Sequence, residues 1–404
     1  MLSAKGRFIE SFWLFASLYF LVFFASVMAA FSAAALKPPA VFCAVAVGLA
    51  LRLSLVWQAP VLSDDIYTYY WNGRVAANGI NPYLYPPESP QLDSLRDPLS
   101  QLVAHRHMRS IYPPIAQMFF DACYRIYPGI HAIKFALVLV DLGLCVALYF
   151  LLRANGKPPG LVLLYALSPL AILEVGHSGH IDPLGSLFLV LSLLAALRGR
   201  WMLAGIACGA SAAAKLVGAV AGVFYLRQRR LWAVLLSVIV FLAAMIPYAG
   251  AGRLIFSGLG YYAEKLYFNT PFFAVLEYLV GRDGALVLSG TVFLAVLAWL
   301  AWKNPPLLDA ARLGVGALLI LGPVLYPWYC IWVLPLAIVT ARPAWIIYCA
   351  AVVFSYLANV RSAHGGVWGT PAWAMFLEYG LLFGVGLYYH FRRENSGVSA
   401  QSGH

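Results

Sequence analysis

Two adjacent carboxylates, Asp64 and Asp65, head the segment Ser63-Asp64-Asp65-Ile66-Tyr67-Thr68-Tyr69-Tyr70-Trp71-Asn72-Gly73-Arg74, and a turn, Gly79-Ile80-Asn81-Pro82-Tyr83, follows. Neighbouring acids repel, and a low-dielectric setting raises the pKa of at least one of them. A carboxylate tuned in this way suits general-base work. The competing reading is structural. If a helix starts here, Ser63 or Asp64 is its N-cap and the second acid is merely solvated. The aromatic surroundings and the turn favour chemistry, with Tyr67, Tyr69, Arg74, Asn81, Tyr83 and the later Tyr112 as candidate ligand contacts.

A second cluster reads Glu174-Val175-Gly176-His177-Ser178-Gly179-His180-Ile181-Asp182-Pro183. Two histidines and two acids within nine residues could hold a divalent metal, contact a sugar, or form a polar turn capped by Asp182. Lys215 stands alone in an apolar stretch, where a lysine has an anionic partner or snorkels to a headgroup; a phosphate and Asp141 are both candidates. Glu264 and Asn269 lie in an aromatic loop over 261–273. This loop and Tyr326-Pro327-Trp328-Tyr329, which contributes Trp328, fit either a sugar or an interfacial aromatic belt. Arg361 and His364 could hold a phosphate or diphosphate.

The elements that must position these residues are set by composition. Of 404 residues, 62% are hydrophobic and only 43 are charged, 27 basic and 16 acidic. Ordinary soluble domains are about 25% charged, so a soluble enzyme, a nucleic-acid binder and a disordered chain are excluded. A membrane crossing takes about 20 apolar residues. Apolar stretches recur at 11–33, 38–57, 131–152, 159–175, 180–197, 201–226, 231–249, 283–302, 307–325, 327–340, 344–360 and 372–391. The reading is an all-α polytopic membrane protein, residues 1–404 forming one membrane domain. The first stretch, followed by the Ala-rich residues 29–35, has a core too long for a signal peptide. The net charge of +11 is spread among Arg153, Lys157, Arg198, Arg200, Arg227, Arg229, Arg230, Lys303, Arg342, Arg392 and Arg393, between the stretches. That is the pattern of cytoplasmic loops, not of a nucleic-acid patch. Six cysteines without a CxxC pair indicate neither a disulfide framework nor a metal site.

Residues 58–130 differ in kind, carrying six of the sixteen acids, nine of the 24 prolines and eight of the 24 tyrosines. They read as a folded external loop with short amphipathic helices near 66–78 and 115–127. Residues 201–226 have arginines at both ends and Lys215 near the centre. A re-entrant hairpin of two short helices resolves both features, since broken helices are tolerated at membrane depth where they line a polar cavity. The N-terminus resists this scheme: two spans before residue 58 put Lys5 and Arg7 outside. GxxxxGK[ST], GxSxG and HExxH motifs are absent, which removes support for ATP-driven transport and serine hydrolysis. With no soluble nucleotide-binding domain, an external acid loop needs a donor already outside, which points to a lipid-linked one.

These residues resemble the GT-C class of membrane glycosyltransferases, which use polyprenyl- or dolichyl-phosphate sugars and bear an essential Asp in the first large external loop. The D-x-x-x-Y pattern from Asp65, ending in Gly79-x-Asn81-Pro82-Tyr83, is similar to bacterial polyprenyl-phosphate-mannose-dependent mannosyltransferases and to the first mannosyltransferase of GPI-anchor synthesis. Tyr112-Pro113-Pro114, Phe268-Asn269-Thr270-Pro271-Phe272-Phe273 and the Gly205–Lys215 segment resemble later elements of those enzymes. The resemblance covers about residues 40 to 340, with the first loop its specific part. It implies a bundle of about 11–13 transmembrane helices in a bacterial inner membrane, with the site facing the periplasm. It implies a polyprenyl-phosphate sugar donor, with mannose resting on the resemblance alone, and a glycolipid, glycan or protein acceptor. Direct displacement with inversion needs no metal or cofactor. Asp65 is then the base, with Asp64 as its neighbour, and Arg361, His364 or Lys215 contact the phosphate. The chain departs from the pattern in an extra N-terminal span, in Asp64 and in the His177-to-Asp182 cluster. A lipid-linked-sugar transporter would instead show inverted repeats and paired broken helices, whereas one broken helix and no repeat are evident. A membrane acyltransferase or polysaccharide ligase would centre on His177 and His180.

Overall fold

A computed structural model describes residues 2–33 and 37–401, with side chains placed for 5–33 and 37–392. Ala34 and Ala35 of the Ala-rich run and the Arg393 side chain lie outside the described residues. Among the described residues there are helices and no strands; the only extended pairing is an isolated bridge between Phe268 and Val324. Helices α1 (Leu2–Glu10), α2 (Phe12–Ala33) and α3 (Pro38–Leu55) precede the loop. Within it are α4 (Asp65–Ala77) and α5 (Pro114–Ile126), close to the expected amphipathic segments. Pro113 and Pro114 start α5 where a missing N–H costs nothing.

The bundle continues with α6 (Ile130–Ala154), α7 (Leu163–Ala166) and α8 (Pro169–Ala171), which runs into a π-helical turn, Ile172–Ser178. Then come α9 (Asp182–Leu197), α10 (Trp201–Lys215), α11 (Gly218–Arg227), α12 (Leu231–Met245) and α13 (Ser257–Lys265). The remainder is α14 (Pro271–Lys303), α15 (Leu307–Leu321), α16 (Cys330–Val339), α17 (Pro343–Ala351), α18 (Leu357–Ala363) and α19 (Ala372–Gln401).

Among the described residues, six helical segments are long and apolar enough to cross a membrane. A seventh candidate is the stretch expected as one span over 159–175, which is bent by 50° between α7 and α8. The helices over 182–197, 218–227 and 327–339 are apolar but shorter. The protein is an integral, all-α membrane protein.

A buried charge cluster fixes the bend. Arg52 Nε lies 2.7 Å from Asp141 Oδ2, Tyr165 donates to Asp141 at 2.5 Å, and the Arg52 guanidinium donates to the Ala166 carbonyl at 2.6 Å. Asp141 is thus the partner of Arg52, not of Lys215. Removing one member of a buried pair strands the other charge, at a cost of about 3–5 kcal/mol. Asp141→Ala is therefore expected to lower thermal stability sharply in detergent, while Arg52→Met with Asp141→Leu recovers part of the loss.

The hairpin region is two helices folded back on each other. Leu216 takes a left-handed φ of 58° between them. A Cβ on Gly218 would stand 2.5 Å from the Cys208 carbonyl, so only glycine permits this approach. At the other end the Arg230 guanidinium lies 4.7 Å over the Trp201 ring, so the chain leaves and returns at one end of the bundle. Lys215 sits at the tip.

Candidate active site

Asp65 opens α4. Its backbone N–H donates to Ser63 Oγ at 3.3 Å. Asp64 occupies the N-cap position but makes no side-chain cap bond. The carboxylate of Asp64 instead receives the Lys5 ammonium at 2.8 and 3.0 Å. The capping expectation for Asp64 is thereby corrected, and Lys5 lies at the loop end of the bundle, paired there with Asp64.

Asp65 is about one-third exposed, and that surface faces cavities. Burial pushes its carboxyl up to about 6, the Lys215 ammonium pulls against that, and Asp182 pushes further up. Tyr112 Oη lies 3.4 Å from Asp65 Oδ2, and His180 Nδ1 lies 3.7 Å from it. Tyr112 is also the bridge to Lys215, whose Nζ stands 5.4 Å from its ring centre, 5.1 Å from that of Tyr329 and 5.8 Å from that of Trp332. Three aromatic faces steady a partly desolvated ammonium. Asp182 completes the setting, 3.6 Å from Lys215 Nζ and accepting the Trp332 indole N–H at 2.8 Å.

Three cavities meet at these two residues. One of about 750 Å³ lies between Asp65 and Lys215, with Thr68, Arg109, Ser110, Tyr262 and Tyr326 in its wall. A larger one of about 1140 Å³ opens on the other side of Asp65 and carries Lys5, Ser63, Asp64, His105, Trp328 and Trp368. The third, about 410 Å³, runs from Lys215 between Ile111, Pro113, Leu216, Leu259 and Trp332, and is mostly apolar. A base, a cation and an apolar groove beside the cation thus share one connected space.

The second cluster is split between roles. His180 is fully buried, stacked on Trp328 with centroids 3.7 Å apart, and has Tyr69 Oη 3.5 Å from Nδ1. Burial and the nearby Lys215 hold its imidazole well below the usual histidine range, so it is neutral. Gly179, at φ 76°, makes this possible: a Cβ there would stand 2.9 Å from both Ile66 and Lys134. His177 faces elsewhere and accepts the Val61 N–H at 3.1 Å. Among the described residues no group of three or more His, Cys, Asp and Glu converges as a metal would require.

Other expected site residues are framework. Arg74 binds Asp97 at 2.9 Å and Tyr124 at 3.1 Å. Asn81 holds the turn by donating to the Tyr248 carbonyl and accepting from the Tyr83 N–H, while Tyr83 donates to the Tyr112 carbonyl at 2.6 Å. Tyr67 is buried in the core. Asn269 is buried and donates to Glu378 at 2.8 Å. Glu264 is exposed and pairs with Lys265.

Arg361 and His364 are exposed, bonded to backbone carbonyls of Gly369 and Val360, and line none of the three cavities. Arg361→Ala and His364→Ala are expected to change kcat/KM less than about threefold, because neither side chain lines the cavities that hold Asp65 and Lys215 and so neither removes a contact to a bound substrate. A tenfold loss in either variant would return those two side chains to the site, whose larger cavity their loop already lines through Asn359, Ser362, Ala363 and Trp368.

Sequence reasoning missed Trp332, Tyr262 and Lys5 as parts of this neighbourhood. Tyr262 and Tyr329 share a hydroxyl–hydroxyl bond of 2.7 Å at the cavity wall. An aromatic-rich membrane chain gives no signal to separate such residues from the interfacial belt, and Lys5 meets Asp64 only through the fold.

The chain resembles several known proteins. The chain is 30% identical over 255 residues to a polyprenol-phosphate-mannose-dependent alpha-(1-2)-phosphatidylinositol pentamannoside mannosyltransferase of Mycolicibacterium smegmatis, covering 56% of this chain and 59% of that one. It is 30% identical over 262 residues to the protein of the same name from Mycobacterium tuberculosis, covering 56% and 57%. The chain thus spans somewhat under six-tenths of the length of these curated relatives. A crystal structure of ArnT from Cupriavidus metallidurans bound to undecaprenyl phosphate aligns over 89% of this chain and 73% of that one, at 15% identity and a TM-score of 0.47. Residues 12–229, more than half the chain, match the family model described as alpha-(1->6)-mannopyranosyltransferase, N-terminal domain. The chain belongs to the MptA_B family.

Proposed function

We propose that this protein is a membrane mannosyltransferase that moves mannose from a polyprenyl-phosphate donor to a glycolipid or glycan hydroxyl. The observation that carries this reading is the pairing of Asp65 and Lys215 across one cavity through Tyr112. Family membership and the donor named for the mycobacterial relatives support it. The donor phosphate sits at Lys215, whose ammonium has N–H groups to spare beyond the one facing Asp182, and its tail leaves along the apolar groove. The acceptor enters through the larger cavity. Asp65 takes the acceptor hydroxyl proton as the oxygen attacks the anomeric carbon. The carbon–phosphate oxygen bond breaks, its electron pair leaves with the phosphate, and the configuration inverts. The test is purified protein with polyprenyl-phosphate mannose and candidate acceptors, with product mass read out.

The same reading places the protein in a bacterial inner membrane, with residues 58–130 external and α10–α11 re-entering from the cytoplasmic face. Helix α9 carries the chain about 24 Å from Asp182 to Arg198 and Arg200, and Arg230 returns beside Trp201. Basic residues at that end fit the cytoplasm. Arg200→Cys and Arg230→Cys are therefore expected to label from the cytoplasmic face, and a cysteine at exposed Asp93 from the outside. Labelling of Arg200→Cys and Arg230→Cys from opposite faces would overturn the re-entrant arrangement.

A further inference from the structure

We infer that His180, set in one tautomer by Glu174, is a positioning residue that donates its Nδ1–H to Asp65 and aims that carboxylate at the acceptor hydroxyl. The inference rests on the reading of Asp65 as the base. His180 bridges two carboxyl groups: Nδ1 lies 3.7 Å from Asp65 Oδ2, and Nε2 lies 3.4 Å from Glu174 Oε2. Its ring is fully buried and stacked on Trp328, and the backbone beneath it is held by the His180 main-chain N–H donating to the Glu174 carbonyl at 2.8 Å. Glu174 is also fully buried, inside the π-helical turn, a distortion frequent at functional sites. Neither Glu174 carboxyl oxygen nor His180 Nε2 closes a well-formed hydrogen bond, and the side chains beside the Glu174 carboxyl include His180 and Ser178.

Among the described residues no Lys or Arg side chain lies within ion-pair distance of Glu174. An unpaired carboxylate in such a place is costly, and the neutral acid avoids that cost. A neutral Glu174 donates to Nε2. The imidazole proton then resides on Nδ1, where the Tyr69 hydroxyl at 3.5 Å is the nearest acceptor and Asp65 Oδ2, at 3.7 Å, comes into hydrogen-bond range on a shift of a few tenths of an ångström. A donor held in this way orients one carboxylate oxygen and leaves the other free for the acceptor.

The experiment compares His180→Phe, His180→Asn and Glu174→Gln with wild type and Asp65→Asn, following kcat, donor KM and the pH profile. Melting temperatures are measured alongside. His180→Phe keeps the stacking on Trp328 but removes the donor. It is expected to lower kcat roughly 10- to 100-fold, below the full cost of losing a base. It should leave donor KM within about threefold and move the acid limb of the profile to higher pH, because the carboxylate has lost a hydrogen bond. The other titratable and charged groups facing Asp65, namely Lys215, Lys5, Arg109, Asp182, Asp64, Glu174, Tyr69, Tyr112, Tyr262, Tyr326, Tyr329 and His105, are unchanged in that variant. His180→Asn places an amide N–H near the former Nδ1 and should recover most of the activity. Glu174→Gln retains a donor to Nε2 and should stay within about threefold of wild type. Wild-type kcat in His180→Phe, or a folded His180→Asn as impaired as His180→Phe, would overturn the inference, as would a folded but inactive Glu174→Gln. Full activity in Asp65→Asn would sink the reading of the base itself, a result separable from any of these.

Discussion

Asp65→Asn is expected to abolish transfer while leaving the fold and donor binding nearly intact. The amide matches the carboxylate in shape, and Tyr112 and His180 remain around it. What it lacks is basicity. Losing a general base costs about 10²–10⁴-fold, and a residue that also holds the acceptor hydroxyl costs more. Asp64→Asn should cost far less, since Asp64 lines the cavity wall and pairs with Lys5 rather than facing Lys215. The wild-type pH profile carries the same information. With burial pushing Asp65 up to about 6, the deprotonated, active form predominates above that pH. The rate should fall toward tenfold per unit as pH drops below it. A reversed pair, with Asp64→Asn inactive and Asp65→Asn active, would exchange the two roles.

Lys215→Met is the second large effect. The substitution keeps the length and apolar stem and removes the charge. A hydrogen bond to a charged group contributes about 1.5–3 kcal/mol, equivalent to roughly 10- to 150-fold in kcat/KM. The loss should appear in donor KM as well as in kcat, because the phosphate is bound in the ground state and gains charge as it leaves. Lys215→Met also leaves Asp182 without its ammonium, so Lys215→Arg serves as the control for folding. It retains the charge and should keep substantially more activity. Equal, wild-type-like donor KM in Lys215→Met, with normal melting, would remove the phosphate from this position.

Much of this site was legible in the chain because membrane sequences are so poor in charge. A lone lysine in an apolar stretch and a pair of acids at a helix start stand out where few other polar residues compete. The turn over Asn81–Tyr83 was equally legible, and in the structure Asn81 holds Tyr83, which in turn donates to the Tyr112 carbonyl. What could not be read was pairing. Asp141 and Asp182 are both apt partners for Lys215 by composition. The choice is made by Arg52, which takes Asp141 inside the bundle and leaves Asp182 at the cavity. Helix count was blurred for a related reason. Apolar runs such as 182–197 and 327–339 have the hydropathy of spans but not the length, and their first turns bring Asp182 and Trp328 to the site. Arg361 and His364 drew notice as an external arginine and histidine. Their side chains turn to their own loop's carbonyls, a local choice that spacing does not reveal.

The most direct test of the account is mannose transfer by the purified full chain from polyprenyl-phosphate mannose, wild type beside Asp65→Asn, with the acceptor's mass measured after reaction. The account predicts an acceptor one hexose heavier with wild type, release of polyprenyl phosphate in equal amount, and neither product with the variant. Equal product from both proteins, or no transfer by wild type to any glycolipid or glycan acceptor while the donor is bound, would contradict it.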